Sequence, residues 1–261
     1  MSLITLTTDF GADSPYVAAM KGVILSHNPA ARIVDVTHSV PPQDVRQGAW
    51  VLEEAAPWWP AGTIHVCVVD PGVGTSRKMI CAVIADRLYL APDNGLLSRL
   101  ARRHRPTTIV ALESRQHWLP TVSNTFHGRD ILAPVAARLS LGLEPRELGP
   151  PLPELVDIAW SEVSVMPGKI KGTVRSIDSF GNLVTDIPAD KLADVPTDPE
   201  KVRVQCDEHE TQGLFKTYGD QPQMTLVAII GSSGYLELAI VGDSAAMMLG
   251  VRAGTPVAVV W

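Results

Sequence analysis

TIHVCVVDPGVGTSR, residues 63–77, decides the fold. Apart from His65, Thr63 to Val69 are β-branched or apolar with no alternation, which fits a strand covered on both faces at the centre of a sheet. The run stops at Asp70-Pro71-Gly72, where a carboxylate, a rigid proline and a glycine mark a loop. Strands of this kind belong to layered α/β proteins, whose polar groups gather just beyond the carboxyl ends of the strands.

Working outward, strands and helices alternate on both sides. Leu3–Thr7 reads as a buried strand. Ser14-Pro15 starts a helix reaching about His27, with Ser14 as its N-cap. Arg32–Thr37 is a second strand, and Gln43–Ala56 a helix stopped by Pro57. Met79–Ala85 and Leu88–Leu90 are strands around Ala85-Asp86-Arg87. Gly95–Arg103 is a helix and Thr107–Leu112 a strand. Asp130 caps a helix that runs to about Leu141.

The pattern then changes. Gly149-Pro150-Pro151-Leu152-Pro153 reads as a stiff linker, followed by short β-rich runs separated by turn residues: 169–177, 183–187, 202–206, 225–230, 235–241 and 256–260. We therefore expect a largely parallel α/β domain over residues 1–165 and a small, all-β, barrel-like domain over 166–261.

Composition limits function. The chain has 261 residues, 46% of them hydrophobic and 19% charged, with a net charge of −6. A core of that size excludes disorder, and the acidic balance argues against a nucleic-acid partner. Cys67, Cys81 and Cys206 form neither a CxxC motif nor an even disulfide set. No apolar run approaches the ~18 residues of a membrane span. With no basic, apolar leader at its start, the protein is expected to be cytoplasmic.

Five polar clusters carry the chemistry. After the first strand comes Thr7-Thr8-Asp9-Phe10-Gly11. Asp9 suits either the two hydroxyls of a ribose or the backbone of its own turn. Asp70-Pro71-Gly72-Val73-Gly74-Thr75-Ser76-Arg77 lacks the Lys-Ser/Thr of a phosphate loop, and reads as a ligand loop or a tight turn. Asn124-Thr125-Phe126-His127-Gly128-Arg129-Asp130 places His127 before a helix, as a catalytic or a structural group. Ile177-Asp178-Ser179-Phe180-Gly181-Asn182 and Gly231-Ser232-Ser233-Gly234-Tyr235-Leu236-Glu237 join strands, and both fit hairpin chemistry. Phe180 is unusual for a plain turn, since an exposed aromatic often meets a ligand or partner. The histidines show no metal-ligand spacing.

In this order, the clusters resemble the S-adenosyl-L-methionine hydroxide adenosyltransferase family, a relative of the enzymes that make carbon–fluorine and carbon–chlorine bonds from the same substrate. The resemblance covers essentially the whole chain. It implies hydrolysis of S-adenosyl-L-methionine to adenosine and L-methionine, with Asp70, Arg77 and His127 around the attacking water. By the same resemblance Asp9 holds the ribose, Asp178 and Asn182 meet the methionine amino group and the adenine, and Ser232 and Ser233 lie at the methionine carboxylate. Phe180, Tyr218 and Tyr235 are candidates for stacking on adenine, and Phe126, Gly128 and Glu237 line the site. The family's tryptophan near the ribose has no secure counterpart, Gln43 or Trp50 falling in that region. The halogenating relatives carry an arginine in the serine pair and Tyr-Ser in place of His127-Gly128, so this sequence favours water. The resemblance also implies a homotrimer with sites between subunits and no metal or other cofactor. A halide-dependent adenosyltransferase and a non-catalytic adenosine-binding protein are the alternatives.

Overall fold

In the computed structural model, which describes residues 3–196 and 198–261, the run from residue 63 lies at the middle of a six-stranded sheet. Its strands are β1 (Leu3–Thr8), β2 (Arg32–Thr37), β3 (Ile64–Val68), β4 (Met79–Ile84), β5 (Arg87–Pro92) and β6 (Thr108–Ala111). They stand in the order β2-β1-β3-β5-β4-β6. β2, β1, β3 and β5 run parallel, and β4 is antiparallel to both of its neighbours. β4 turns into β5 through Ala85 and Asp86, both at positive φ, the conformation a two-residue hairpin needs.

The four helices of this unit are α1 (Pro15–His27), α2 (Val45–Ala55), α3 (Ser98–Arg103) and α4 (Ala133–Ser140). One face of the sheet packs Ile4, Leu6, Val66 and Val68 against Met20, Ile24, Leu132 and Ala136. The other packs Cys67, Val69, Ile80 and Ala82 against Leu52, Leu96 and Leu100. β3 therefore alternates between two apolar layers, which is why its sequence shows no polar face. Each fully buried Leu or Ile contributes roughly 1.5–3 kcal/mol of transfer free energy.

Ser14 is the N-cap of α1, as expected, although its side chain makes no capping bond. Two local expectations need correction. Asp130 is not a cap. It lies inside a π-helical turn, Gly128–Leu132, that runs straight into α4. Its buried carboxylate accepts from the Ser123 N–H at 2.8 Å and pairs with Arg129 at 2.6 Å, as a buried charge requires. The proline-rich stretch is not a free linker either. Ala111 N–H donates to the Pro150 carbonyl and Leu152 N–H to the Ile109 carbonyl, so the segment lies along the edge of β6.

Chain contacts divide the protein into two compact units, Met1–Ile158 and Ala159–Trp261. The second unit contains β7 (Ser164–Met166), β8 (Lys169–Ile177), β9 (Leu183–Pro188), β10 (Arg203–Cys206), β11 (His209–Gln212), β12 (Leu226–Ile230), β13 (Tyr235–Ile240), β14 (Pro256–Val260) and the short helix α5 (Ala245–Leu249). Its strand order is β11-β10-β14-β8-β9-β13-β12, antiparallel throughout, with β7 on β8. The Thr211 hydroxyl donates to the Leu226 carbonyl at 2.6 Å and ties the end strands β11 and β12, so the sheet is nearly a closed barrel. Ile170, Val174, Leu183, Leu236, Leu238 and Val257 fill it. β7, β11 and α5 are too short for a sequence pattern and were not expected.

Candidate active site

The chain steps from β1 to β2 on one side of the sheet and returns to β3 on the other. Strand order thus reverses between β1 and β3, and ligands of open α/β sheets bind beyond such a pair. Thr8 lies opposite Val68 across this pair. Asp9 and Asp70 follow these two strand ends.

Asp70, Arg77 and His127 meet here. Arg77 Nε donates to both Asp70 oxygens at 2.9 and 3.0 Å, and Nη2 donates to Oδ2 at 2.5 Å. The same Nη2 lies 2.8 Å from His127 Nδ1. The Asp70 and Arg77 side chains are only 6% and 11% exposed, so the charges are held in a low dielectric. Gly74 permits the meeting: at φ +79, a Cβ there would come within 2.4 Å of the Asn124 carbonyl oxygen. Glycine lets the loop after Asp70 lie directly against the loop that carries His127.

A guanidinium can only donate, so His127 Nδ1 must accept. The imidazole is then neutral with its proton on Nε2. Burial is the main cause that holds the His127 pKa below its ordinary value, and the Arg77 charge adds to it against the opposing Asp70 and Asp130. Of the three groups, the Asp70 carboxylate keeps spare acceptor lone pairs. Arg77 and His127 also border a polar cleft of about 440 Å³, together with Lys78, Arg115, Trp118 and Asn124.

Asp9 Oδ2 accepts the Gln43 N–H at 2.8 Å, 34 positions along the chain. It fastens the loop after β2 rather than its own turn. Gln43 sits at φ +65, a backbone conformation uncommon outside glycine. Phe10, Tyr16 and Phe126 form a triangle of edge-to-face rings with centroids 5.2–5.7 Å apart, joining the flank of Asp9 to that of His127. Gly128 is buried against Val68 and Met20. Trp50 lies under the Arg99 guanidinium at 3.6 Å.

In the second unit, Asp178 organises its own turn. Oδ1 accepts from the Phe180 and Asn182 N–H groups and Oδ2 from the Asn182 side chain, each at 2.9 Å. Gly181 at φ +84 seats this turn on α5, since a Cβ there would strike Ser244. Phe180, left 78% exposed, joins Asn182, Tyr218, Ile240, Gly242 and Ser244 around a cavity of about 510 Å³. The Tyr218 hydroxyl donates to buried Glu237 at 2.5 Å. Burial first, then Glu237 and Asp178, push the Tyr218 phenol above its ordinary pKa, so it remains a neutral donor. Ser232 and Ser233 sit on the turn between β12 and β13, closed by Gly234 N–H to the Gly231 carbonyl at 2.9 Å. Tyr235, at its end, is buried beneath the Arg175 guanidinium, 4.0 Å from the ring centroid.

Tyr16, Arg175 and Ser244 belong to these clusters and escaped the sequence reading, while Gln43, named for the region near the ribose, bonds Asp9. Among the described residues, no group of three or more His, Cys, Asp or Glu side chains is placed to hold a metal ion. Among those residues, too, no helix is long and apolar enough to cross a membrane.

Residues 4–149 match the family described as the SAM hydroxide adenosyltransferase N-terminal domain, and residues 172–258 match its C-terminal domain. The chain is 36% identical to an (R)-S-adenosyl-L-methionine hydrolase of Thermus thermophilus, over 98% of this chain and 99% of the relative. It is 39% identical to a hydrolase of the same name from Salinispora tropica, covering 96% and 95%. A fluorinase of an Actinoplanes species is 28% identical over 98% and 97%. The crystal structure of an uncharacterized conserved protein from Thermotoga maritima superimposes with a TM-score of 0.94 at 36% identity, covering 99% of this chain and all of that one.

Proposed function

The chain belongs to the SAM hydroxide adenosyltransferase family, and from that premise we propose that it hydrolyses S-adenosyl-L-methionine to adenosine and L-methionine. Relatives named as (R)-S-adenosyl-L-methionine hydrolases, 36–39% identical over nearly the full chain, support this reading. The observation that carries the mechanism is the contact of one guanidinium with both Asp70 and His127.

The sulfonium makes the ribose C5′ electrophilic, and its leaving group is a neutral thioether that needs no general acid. The protein's task is to hold a water in line with the C5′–S bond and take its proton as the C–O bond forms. The C5′–S electron pair leaves with sulfur. We assign proton acceptance to Asp70, because Arg77 occupies His127 Nδ1 and Nε2 carries the proton of the neutral ring. Arg77 fixes the carboxylate and stabilises hydroxide character in the nucleophile. His127 orients Arg77 and offers Nε2–H as a donor. Asp9, whose Oδ2 accepts the Gln43 N–H, binds the ribose hydroxyls. Phe126 and Gly128 shape the wall beside it.

In the second unit, Phe180, Asn182 and Tyr218 surround a cavity suited to a purine, with Tyr235 a further candidate to stack on it, while Asp178, Glu237, Ser232 and Ser233 serve the methionine portion. The groups assigned to ribose and water lie before residue 158 and those assigned to the amino acid after it. We therefore propose a homotrimer whose sites draw on two subunits, working in the cytoplasm. Exposed Phe180 and Met247 are the kind of apolar surface that assembly would cover.

Incubation with S-adenosyl-L-methionine in ¹⁸O-labelled water tests the reaction. Label is expected on the 5′ oxygen of adenosine. Unlabelled adenosine, or a 5′-halo product dominating in excess chloride, overturns it.

A further inference from the structure

We propose that His38 is a positioning residue that holds Asp9 in the orientation needed to bind a pair of sugar hydroxyls. The proposal rests on the reading that Asp9 meets the ribose of the substrate, and it gives a role to a side chain that the mechanism leaves unused.

Asp9 stands on the loop between β1 and α1, and His38 opens the loop between β2 and α2. Four hydrogen bonds join the two loops. Gly11 N–H donates to the His38 carbonyl at 2.8 Å, and Val40 N–H to the Thr8 carbonyl at 3.4 Å. The third is the bond from Gln43 N–H to Asp9 Oδ2. The fourth joins side chains, with His38 Nδ1 2.9 Å from the Thr8 hydroxyl. Thr8 is fully buried and directly precedes Asp9. Its Oγ1 also accepts the Phe10 N–H at 3.3 Å. One hydroxyl therefore links the imidazole to the backbone on the far side of Asp9.

The imidazole is fixed from behind. Nε2 lies 3.0 Å from Asp35 Oδ1 on β2, and Lys21 of α1 holds the other Asp35 oxygen at 2.6 Å. A carboxylate can only accept, so Nε2 carries a ring proton, and Nδ1 of the neutral ring accepts the Thr8 O–H. The Lys21 and Asp35 side chains are 34% and 39% exposed, and pairs so open to water contribute little to stability. What they supply is the orientation of the ring, which is itself only 11% exposed.

The backbone is shaped for this contact. Leu6 of β1 pairs with Asp35 of β2, but Thr7 pairs with Thr37, so the register slips by one and skips Val36. The unslipped register would set Thr8 beside Thr37. The slip brings His38 level with Thr8, as irregularities in strand pairing re-aim side chains. A carboxylate that accepts from two neighbouring hydroxyls must keep one plane, and a small rotation of its loop weakens both bonds together. Gln43 fixes the Asp9 carboxylate from one side, and the Thr8–His38 contact fixes the backbone beneath it.

The test is a double-mutant cycle in the whole enzyme. His38→Ala should raise KM for S-adenosyl-L-methionine by roughly 5–50-fold, the span of couplings within one hydrogen-bond network, and leave kcat within a few-fold. In the Asp9→Ala background the same change should raise KM no further. The penalty for a 2′-deoxy substrate should shrink in His38→Ala as it does in Asp9→Ala. His38→Asn can place its amide oxygen where Nδ1 accepts from Thr8 and should restore most of the affinity, whereas His38→Gln reaches toward Asp35 and should behave like alanine. Thermal melting identifies an alanine variant that fails to fold, and the glutamine variant then takes its place in the cycle. Additive losses with Asp9→Ala, or an unchanged penalty for the 2′-deoxy substrate, would mean that His38 only stabilises the fold, and would overturn the proposal. Parent protein that releases no adenosine from S-adenosyl-L-methionine overturns the hydrolase reading instead, and calorimetric Kd values for adenosine and 2′-deoxyadenosine across the same variants still decide the role of His38.

Discussion

Replacing Asp70 by asparagine exchanges one oxygen for an amide nitrogen and keeps the side-chain shape. Three contacts of 2.5–3.0 Å join the two Asp70 oxygens to Arg77, and both side chains are largely sequestered from water. The amide can accept with only one atom and turns N–H donors toward a group that already donates. Removing one partner of a fully buried pair costs about 3–5 kcal/mol. Arg77 keeps some contact with solvent and the amide keeps an acceptor, so about 2–3 kcal/mol is the fitting range here. Catalysis should suffer differently. With the proton acceptor gone, kcat should fall by about 10²–10⁴, while KM moves little, because Asp70 is assigned to the water and not to the substrate. Urea unfolding gives the first quantity and chromatographic adenosine release the second. The double variant Asp70→Asn/Arg77→Met should recover much of the stability and none of the rate. A single variant that is destabilised as expected but keeps kcat within about tenfold of the parent would refute Asp70 as the base.

Asp9→Ala should weaken substrate binding, since each charge-assisted bond to a ribose hydroxyl contributes roughly 1.5–3 kcal/mol. A 2′-deoxy substrate should lose less in that variant than in the parent, as competition binding would show. His65 is buried, accepts or donates at Thr5 across 2.7 Å and stacks on Tyr89, and burial lowers its pKa from 6.5 to about 4. The unfolded chain therefore takes up a proton that the native protein refuses as pH falls from 6.5 toward 4. About 3 kcal/mol of stability present above pH 6.5 should be lost across that window, and His65→Gln should flatten this part of the profile in denaturant titrations. Co-expressing Asp70→Ala with Asp178→Ala, each inactive alone, should restore part of the activity if sites are shared between subunits. A monomer by light scattering with full parent activity would contradict that sharing.

How far the sequence could be read depended on whether local pattern and tertiary placement agree. β3 was plain because both of its faces are apolar, and the β4–β5 hairpin because Asp86 and the charge of Arg87 interrupt two apolar runs. Asp130 misled because an acidic residue before an apolar helix is the usual form of a cap, while here the π turn carries it inside, where its partners come from the loop at Ser123. The segment from Gly149 misled for a related reason. Pro150 and Pro151 lack N–H groups, yet a strand on a sheet edge needs only alternate ones, and the Pro150 carbonyl and Leu152 N–H suffice to pair with β6. The site's membership was legible as ordered clusters. The choice of partners was not, since nothing near Asp9 in sequence points to Gln43, nor anything near Ser233 to Arg175.

The division of labour between Asp70 and His127 turns on one contact. Sequence alone leaves both as proton acceptors, and histidine is the more common choice at neutral pH. For His127 to accept at Nδ1, Arg77 would have to swing away, breaking its contact with the ring. For it to accept at Nε2, the ring would have to carry the proton on Nδ1, facing a guanidinium that has only donors. Both routes set like groups against each other in a poorly hydrated site. Asp70 meets no such conflict: Arg77 approaches both oxygens from one side, and the carboxylate's other lone pairs remain for a water. The sulfonium departs as a neutral thioether, so the reaction does not need a fully formed hydroxide at its start. A well-oriented acceptor that takes the proton late is therefore sufficient, and Arg77, bonded to both oxygens, fixes its geometry.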